Sequence, residues 1–165
     1  MKKLWIAIII LMVIVGSISS CCIMTDNPSA ETSGSKESAA QDSNVGNLSE
    51  YRVEIAGCRL ATDYSGEPIV IVKYVFSNYA EDPVAFYIAF SATVYQDGIG
   101  LNECYFADDS ANYSSDNQTK EVKKGATIEV EVAYELNDTT TPIEVEVEEF
   151  LSFKDEKITK TFTID

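Results

Sequence analysis

The sequence contains no histidine. Serine and cysteine nucleophiles usually draw their base from that residue, and most catalytic zinc sites use it as a ligand. The commonest hydrolase mechanisms are therefore excluded, and carboxylate-only chemistry of the glycosidase kind is the catalytic route left open. Positive charge is also scarce: 12 Lys and Arg stand against 27 Asp and Glu, for a net charge of −15. A surface of that sign repels phosphate backbones, which excludes nucleic acid as a partner. It also disfavours lying flat on anionic lipid, so membrane attachment has to come from acyl chains. Helical periodicity is almost wholly missing beyond the N-terminus. Cysteine is limited to four residues, two of them the neighbours Cys21 and Cys22.

What is present starts at the N-terminus. Lys2 and Lys3 give a short positive end, Leu4 to Val15 runs apolar without a charge, and Gly16, Ser17, Ser19 and Ser20 are small. That order is the pattern of a secretory signal peptide over residues 1–20. The apolar run is shorter than the ~20 residues a membrane-spanning helix needs. Ile18-Ser19-Ser20-Cys21 looks like a bacterial lipobox, in which Cys21 is lipidated and becomes the mature N-terminus. An ordinary secreted protein cleaved near Ser20 is the alternative. The lipobox reading puts the protein on the outer face of the bacterial cytoplasmic membrane, held by its N-terminal lipid. Cleavage would remove two lysines and take the net charge to −17.

Residues 21–48 read as the lipidated cysteine followed by a flexible linker. From Thr25 to Leu48 there is no aromatic residue and only two large aliphatics, both near the end. Such a stretch buries too little apolar area to offset the entropy of ordering its backbone. Its span as a random coil is roughly 25–30 Å.

Residues 49–165 read as one all-β domain. Tyr51, Val53 and Ile55 alternate with Arg52 and Glu54, and Ile69 to Phe76 is apolar on both faces, as in a central strand. Phe86, Ile88, Phe90, Ala92 and Val94 are expected on one side of the next strand. Asp97-Gly98 predicts a type I′ hairpin with a returning strand over Ile99 to Phe106. Ala107 to Asn117 is a polar loop, and Thr119 to Val122 a short edge strand. Ile128 to Leu136 and Ile143 to Val147 alternate with rows of glutamate, and a last strand covers Ile158 to Ile164. About eight short strands with regular turns predict an immunoglobulin-like antiparallel β-sandwich. A small open barrel is the alternative.

Several strings carry a resemblance. They are Asp63-Tyr64-Ser65-Gly66-Glu67-Pro68 leading into Ile71 to Asn78, Val94 to Leu101, Lys123-Lys124-Gly125-Ala126, and Ala133-Tyr134-Glu135-Leu136. In this order they resemble a family of small lipoproteins of Gram-positive bacteria whose domain has no assigned function. That family is similar in architecture to telokin-like immunoglobulin folds of other bacterial surface lipoproteins. The resemblance covers Tyr51 to Asp165. It implies an extracytoplasmic β-sandwich and carries over no catalytic residue.

The candidate site residues are few. Outside the cytoplasm Cys58 and Cys104 can pair, and a disulfide closing that long loop is worth ~3–5 kcal/mol if unstrained. The alternative is two small apolar side chains in the core. Asp108, Asp109 and Asp116 are weak candidates for a calcium site, without the spacing of an EF-hand. The rows Glu129, Glu131, Glu135 and Glu144, Glu146, Glu148 would crowd one face if their strands paired, unless Lys120, Lys123 and Lys124 interleave. If the two strands lie in different sheets, the rows never meet. Tyr64, Tyr79, Tyr105 and Tyr113 fall near turns or loops, where packing at the core edge is the ordinary reason for tyrosine. The expectation from all this is a non-catalytic binding module without cofactor, its partner a protein or a cell-wall component. A small-ligand or cation-binding accessory lipoprotein of a transporter or sensor is the alternative.

Overall fold

The computed structural model describes residues 43–105, 107, 111–152 and 154–164; the signal-like segment, Cys21, Asp108 and Asp109 lie outside the described residues. The strands are β1 (Val45–Leu48), β2 (Tyr51–Thr62), β3 (Pro68–Asn78), β4 (Phe90–Gln96), β5 (Ile99–Gly100), β6 (Glu103–Cys104), β7 (Thr127–Glu135), β8 (Ile143–Glu149) and β9 (Lys157–Phe162). They form two antiparallel sheets, one in the order β1-β2-β3-β7-β6 and one in the order β5-β4-β8-β9. This is the expected immunoglobulin-like sandwich.

Strand alternation builds the core. Val70, Val72, Tyr74 and Phe76 of β3 and Val130, Val132 and Tyr134 of β7 face Phe90, Val94, Val145 and Val147 of the second sheet. At one end Phe76 stands edge-on to Phe90, with ring centroids 5.4 Å apart. Part of the outer face of β3, the middle strand of five, is covered as well. Ile69 and Ile71 join Cys104 and Ala133 in a second apolar cluster, capped by Ala107, Ala111 and Tyr113. The loop that reads as polar is thus a cover for the outer face of the sheet. Arg59 fixes it there: its guanidinium forks onto Glu131, with Nη2 3.0 Å from Oε2, and donates to the Ala111 carbonyl at 3.2 Å.

The structure departs from the sequence expectation in four places, and it decides two readings that the sequence leaves open. First, β1 lies inside the stretch read as linker. Leu48 is buried, and Gly46 runs so close to β9 that a Cβ there would sit 2.6 Å from Ile158 Cδ1. Second, residues Phe86–Ala89 form a helical turn (α1) rather than a strand. Phe86, Ala89 and Phe90 are buried while Tyr87 and Ile88 are exposed, which is helical and not period-two spacing. The chain crosses between the sheets here, and a helix advances less than half as far per residue as a strand.

Third, the strand expected over Ile99 to Phe106 is split. Asp97 (φ 54°) and Gly98 (φ 75°) make the type I′ turn. After Gly100 the chain changes sheets, and β6 pairs with Tyr134 and Ala133 of β7.

Fourth, Thr119 to Val122 is no edge strand; only Val122 forms an isolated bridge, to Val84. Of the two readings left open for Cys58 and Cys104, the structure does not join them to each other. Cys58 pairs with Val72 on β3 and Cys104 with Ala133 on β7, so two strands lie between them. That separation is roughly 14 Å at the usual strand spacing, twice what a disulfide spans. The side chains also point to opposite faces, Cys58 into the main core and Cys104 into the outer cluster. Peptide mapping of the denatured chain without reductant should therefore find no peptide joining these two residues. A disulfide-linked peptide pair containing Cys58 and Cys104 would contradict this register.

The glutamate rows do not meet, as the sandwich alternative has it, because β7 and β8 belong to different sheets. Their cationic neighbours are not the expected ones. Lys73 pairs with Glu129 at 2.9 Å, Arg59 with Glu131, and Lys157 with Glu146 at 2.6 Å. Lys120 instead donates to Asn117, and Lys124 binds Glu81.

Two polar devices finish the sandwich. Lys160, on the edge strand β9, points inward and donates to the Ile55 carbonyl at 3.1 Å, beside the bulge at Ile55/Gly57. An inward charge on an edge strand discourages pairing with another chain. Asp138 holds the corner before β8: its carboxylate accepts from the backbone N–H of Thr140 at 2.7 Å and of Thr141 at 2.6 Å. These bonds lower its pKa to about 2. A carboxyl depressed in the folded state stabilises that state above its unfolded pKa, and the contribution is lost as pH falls through the folded value. The amide shifts of Thr140 and Thr141 should therefore titrate near pH 2. A midpoint at the ordinary aspartate value of about 3.9 would remove the cap.

Candidate functional site

The site follows from the shortness of two strands. β5 covers β4 only at Tyr95 and Gln96, and β6 covers β7 only at Ala133 and Tyr134. Phe90 to Thr93 and Thr127 to Val132 are left without a strand neighbour on one side of the sandwich. Between these two margins lies a cleft of about 420 Å³. Phe86, Phe90 and Val132 form its apolar base. Around it stand three rings that are half-exposed or more: Tyr87 (55 %), Tyr105 (61 %) and Phe150 (51 %).

Each ring has a structural cause. Tyr87 faces outward because α1 rotates it away from Phe86 and Phe90. Tyr105 follows β6 as the chain leaves the sheet. Phe150 directly follows β8, and its backbone N–H donates to the Ala89 carbonyl at 2.9 Å, which ties that strand end to α1.

Glu103 is the single charged residue among the lining residues. The Tyr105 hydroxyl donates to its Oε2 at 2.9 Å, and the carboxylate raises the pKa of that phenol. Deeper in, the Tyr134 hydroxyl reaches from one sheet to the other and donates to the Ala92 carbonyl at 3.3 Å. Burial pushes the phenols of Tyr134 and Tyr74 well above their ordinary value, so neither exchanges protons near neutral pH.

The open margin of β7 is closed by side chains rather than by a strand. From the 3-10 turn Asp116–Gln118, Asn117 donates to the Glu129 carbonyl at 2.8 Å and Gln118 to the Glu131 carbonyl at 2.7 Å. Two of the backbone carbonyls that would accept an added strand are thereby occupied.

Of the tyrosines singled out in the sequence, Tyr105 belongs to the cleft and also lines a second hollow of about 390 Å³ together with Tyr64, Tyr113 and Asp116. Tyr113 is half-buried over the outer cluster, and Tyr79 is exposed elsewhere. Asp116 begins the 3-10 turn, and no group of three metal-ligating side chains converges among the described residues. No helix among them is long and apolar enough to cross a membrane. Tyr87, Glu103 and Phe150 carried no sequence signal, since each is placed by a break in an element.

Two antiparallel sheets with a shared aliphatic and aromatic core define an immunoglobulin-like β-sandwich domain. The chain belongs to the family described as a domain of unknown function, DUF5067, whose profile matches residues 26–149. No curated protein matches it at comparable significance. Three solved structures share the fold. A "putative lipoprotein from Staphylococcus aureus subsp. aureus NCTC 8325" is 15% identical, with a TM-score of 0.57 over 73% of this chain and 88% of that one. A protein from Enterococcus faecalis is 21% identical, with a TM-score of 0.56 over 74% and 90%. A conserved hypothetical protein from Bacillus anthracis is 16% identical, with a TM-score of 0.50 over 70% and 90%.

Proposed function

We propose that this protein is a non-catalytic, lipid-anchored module on the outer face of a bacterial cytoplasmic membrane, and that it works by binding a partner at the side of the sandwich. The observation that carries the reading is the cleft between β4 and β7, with Tyr87, Tyr105 and Phe150 around it. Half-exposed rings gathered at one concavity are costly to leave in water, and aromatic residues are enriched where surfaces bind. The cleft holds one carboxylate, where glycosidase chemistry needs two, and the chain has no histidine to serve another mechanism. The anchor rests on Ile18-Ser19-Ser20-Cys21 and is supported by the description of the Staphylococcus aureus neighbour as a lipoprotein.

Expression of the full chain in a Gram-positive host tests the anchor. The natural sequence should fractionate with the membrane, with acyl mass on a mature N-terminal Cys21. The Cys21→Ala variant should lose the lipid and pass into the medium. Equal membrane retention of both chains would overturn the anchored reading.

A further inference from the structure

The cleft between β4 and β7 combines three features that together select a ligand. Its walls are ring faces and edges from Tyr87, Tyr105 and Phe150. Its one charge is negative, the Glu103 carboxylate, and no lysine or arginine lines it. Its β7 margin is a poor strand template, because Asn117 and Gln118 already occupy the Glu129 and Glu131 carbonyls.

We propose that the cleft receives a lysine or arginine side chain from a basic peptide segment of a protein partner, with the cationic head at Glu103 and the aliphatic stem among Tyr87, Tyr105 and Phe150. A cation near an aromatic face gains from the ring quadrupole, and its hydrogen bond to a carboxylate is charge-assisted. The stem of such a side chain is apolar while its head is charged, which matches a cleft with an apolar base and one acid. Glu103 suits the role. Tyr105 orients the carboxylate through Oε2, and Glu103 takes part in none of the four ion pairs formed among the described residues. The net charge of −15 adds long-range attraction for a basic partner.

A neutral glycan fits less well. Sugar hydroxyls need several convergent donors and acceptors, yet the Gln118 amide is committed to Glu131 and Tyr113. Recognition would then pass through a side chain rather than through backbone pairing. This inference rests on the binding-module reading. It is separable from it, because the anchor is tested at Cys21 and the ligand at Glu103.

The test uses the full chain in neutral detergent and capped, extended peptides bearing one central lysine or arginine, with acetyl-lysine and citrulline counterparts. Aromatic NMR shifts report the site. The basic peptides should move the rings of Tyr87, Tyr105 and Phe150, and the neutral counterparts should not. Glu103→Gln should weaken binding roughly tenfold or more, the scale of a lost charge-assisted hydrogen bond. Tyr87→Ala, which changes no charge, should weaken it several-fold. Glu144→Gln, at an exposed acid near the other end of β8 from Phe150, should leave it unchanged. Equal binding of the acetylated peptide, ring shifts caused only by wall-glycan fragments, loss of affinity from Glu144→Gln as large as from Glu103→Gln, or no binding at all would each overturn the proposal.

Discussion

Gln96→Leu should destabilise the domain by about 3–5 kcal/mol and lower its melting temperature by roughly 10–20 °C. Gln96 is the last residue of β4, 1 % exposed, and all four hydrogen-bonding positions of its amide are filled. Nε2 donates to the carbonyls of Asp138 and Thr141, both at 3.0 Å. Oε1 accepts from the backbone N–H of Asn137 at 2.8 Å and of Asp138 at 3.3 Å. Leucine has similar bulk and no polar atom, so the change strands four backbone groups without opening a large cavity. Each buried group left unsatisfied costs about 1–3 kcal/mol, and the corner can let water reach some of them, which keeps the sum below four full penalties. Chemical denaturation of the variant beside the natural chain measures this. A loss under 1 kcal/mol would mean that the corner is not held by this side chain. The Asp138 cap lies in the same corner, so the two substitutions should couple rather than add.

Asn78→Leu should cost about 2–4 kcal/mol, for the same reason at the opposite end of the sandwich. Asn78 closes β3 and is fully buried. Its Nδ2 donates to the carbonyls of Val122 at 2.8 Å and Asp82 at 2.9 Å, and its Oδ1 accepts from the Ala80 N–H at 2.8 Å. Its own backbone binds Gly125 and Ala126. One residue thus joins the exit of β3 to the turn before β7. Asn78→Asp is the sharper variant. It keeps the acceptor toward Ala80, turns both donor contacts into repulsion, and buries a charge. Desolvation would raise that carboxyl's pKa in the folded state, so the proton stabilises the fold. The variant should be least stable at pH 8 and recover as pH falls through the raised value. A pH-independent loss equal to that of Asn78→Leu would show that the carboxylate escapes to water.

The regular strands were legible because burial on one face imposes a period of two. Ile143 to Val147 alternates throughout and Ile128 to Glu135 does so except at Ala133, which the outer cluster buries; both are strands. Ile69 to Phe76 is apolar on both faces, and it is the middle strand of five. The type I′ turn at Asp97-Gly98 was legible for a local reason, its need for positive φ at both positions. Where the expectation failed, a tertiary contact overrode a local pattern. Val45 and Leu48 looked like stray aliphatics in a polar linker until β2 gave them a partner edge and Ile158 a surface to cover. Phe86 and Phe90 fit an alternating strand as well as a helical turn, and the crossing between sheets selected the turn.

The sequence by itself determined an all-strand body rich in acidic residues, without histidine chemistry, behind a signal-like N-terminus. Composition and periodicity are properties of neighbours along the chain, and these needed nothing else. Only the tertiary structure decided which sheet each glutamate row joins, that Cys58 and Cys104 point to opposite faces, and that Tyr87, Glu103, Tyr105 and Phe150 share one cleft. Those facts depend on strand order and on where short strands stop, and pairing between residues far apart in the chain leaves no period in the sequence to read.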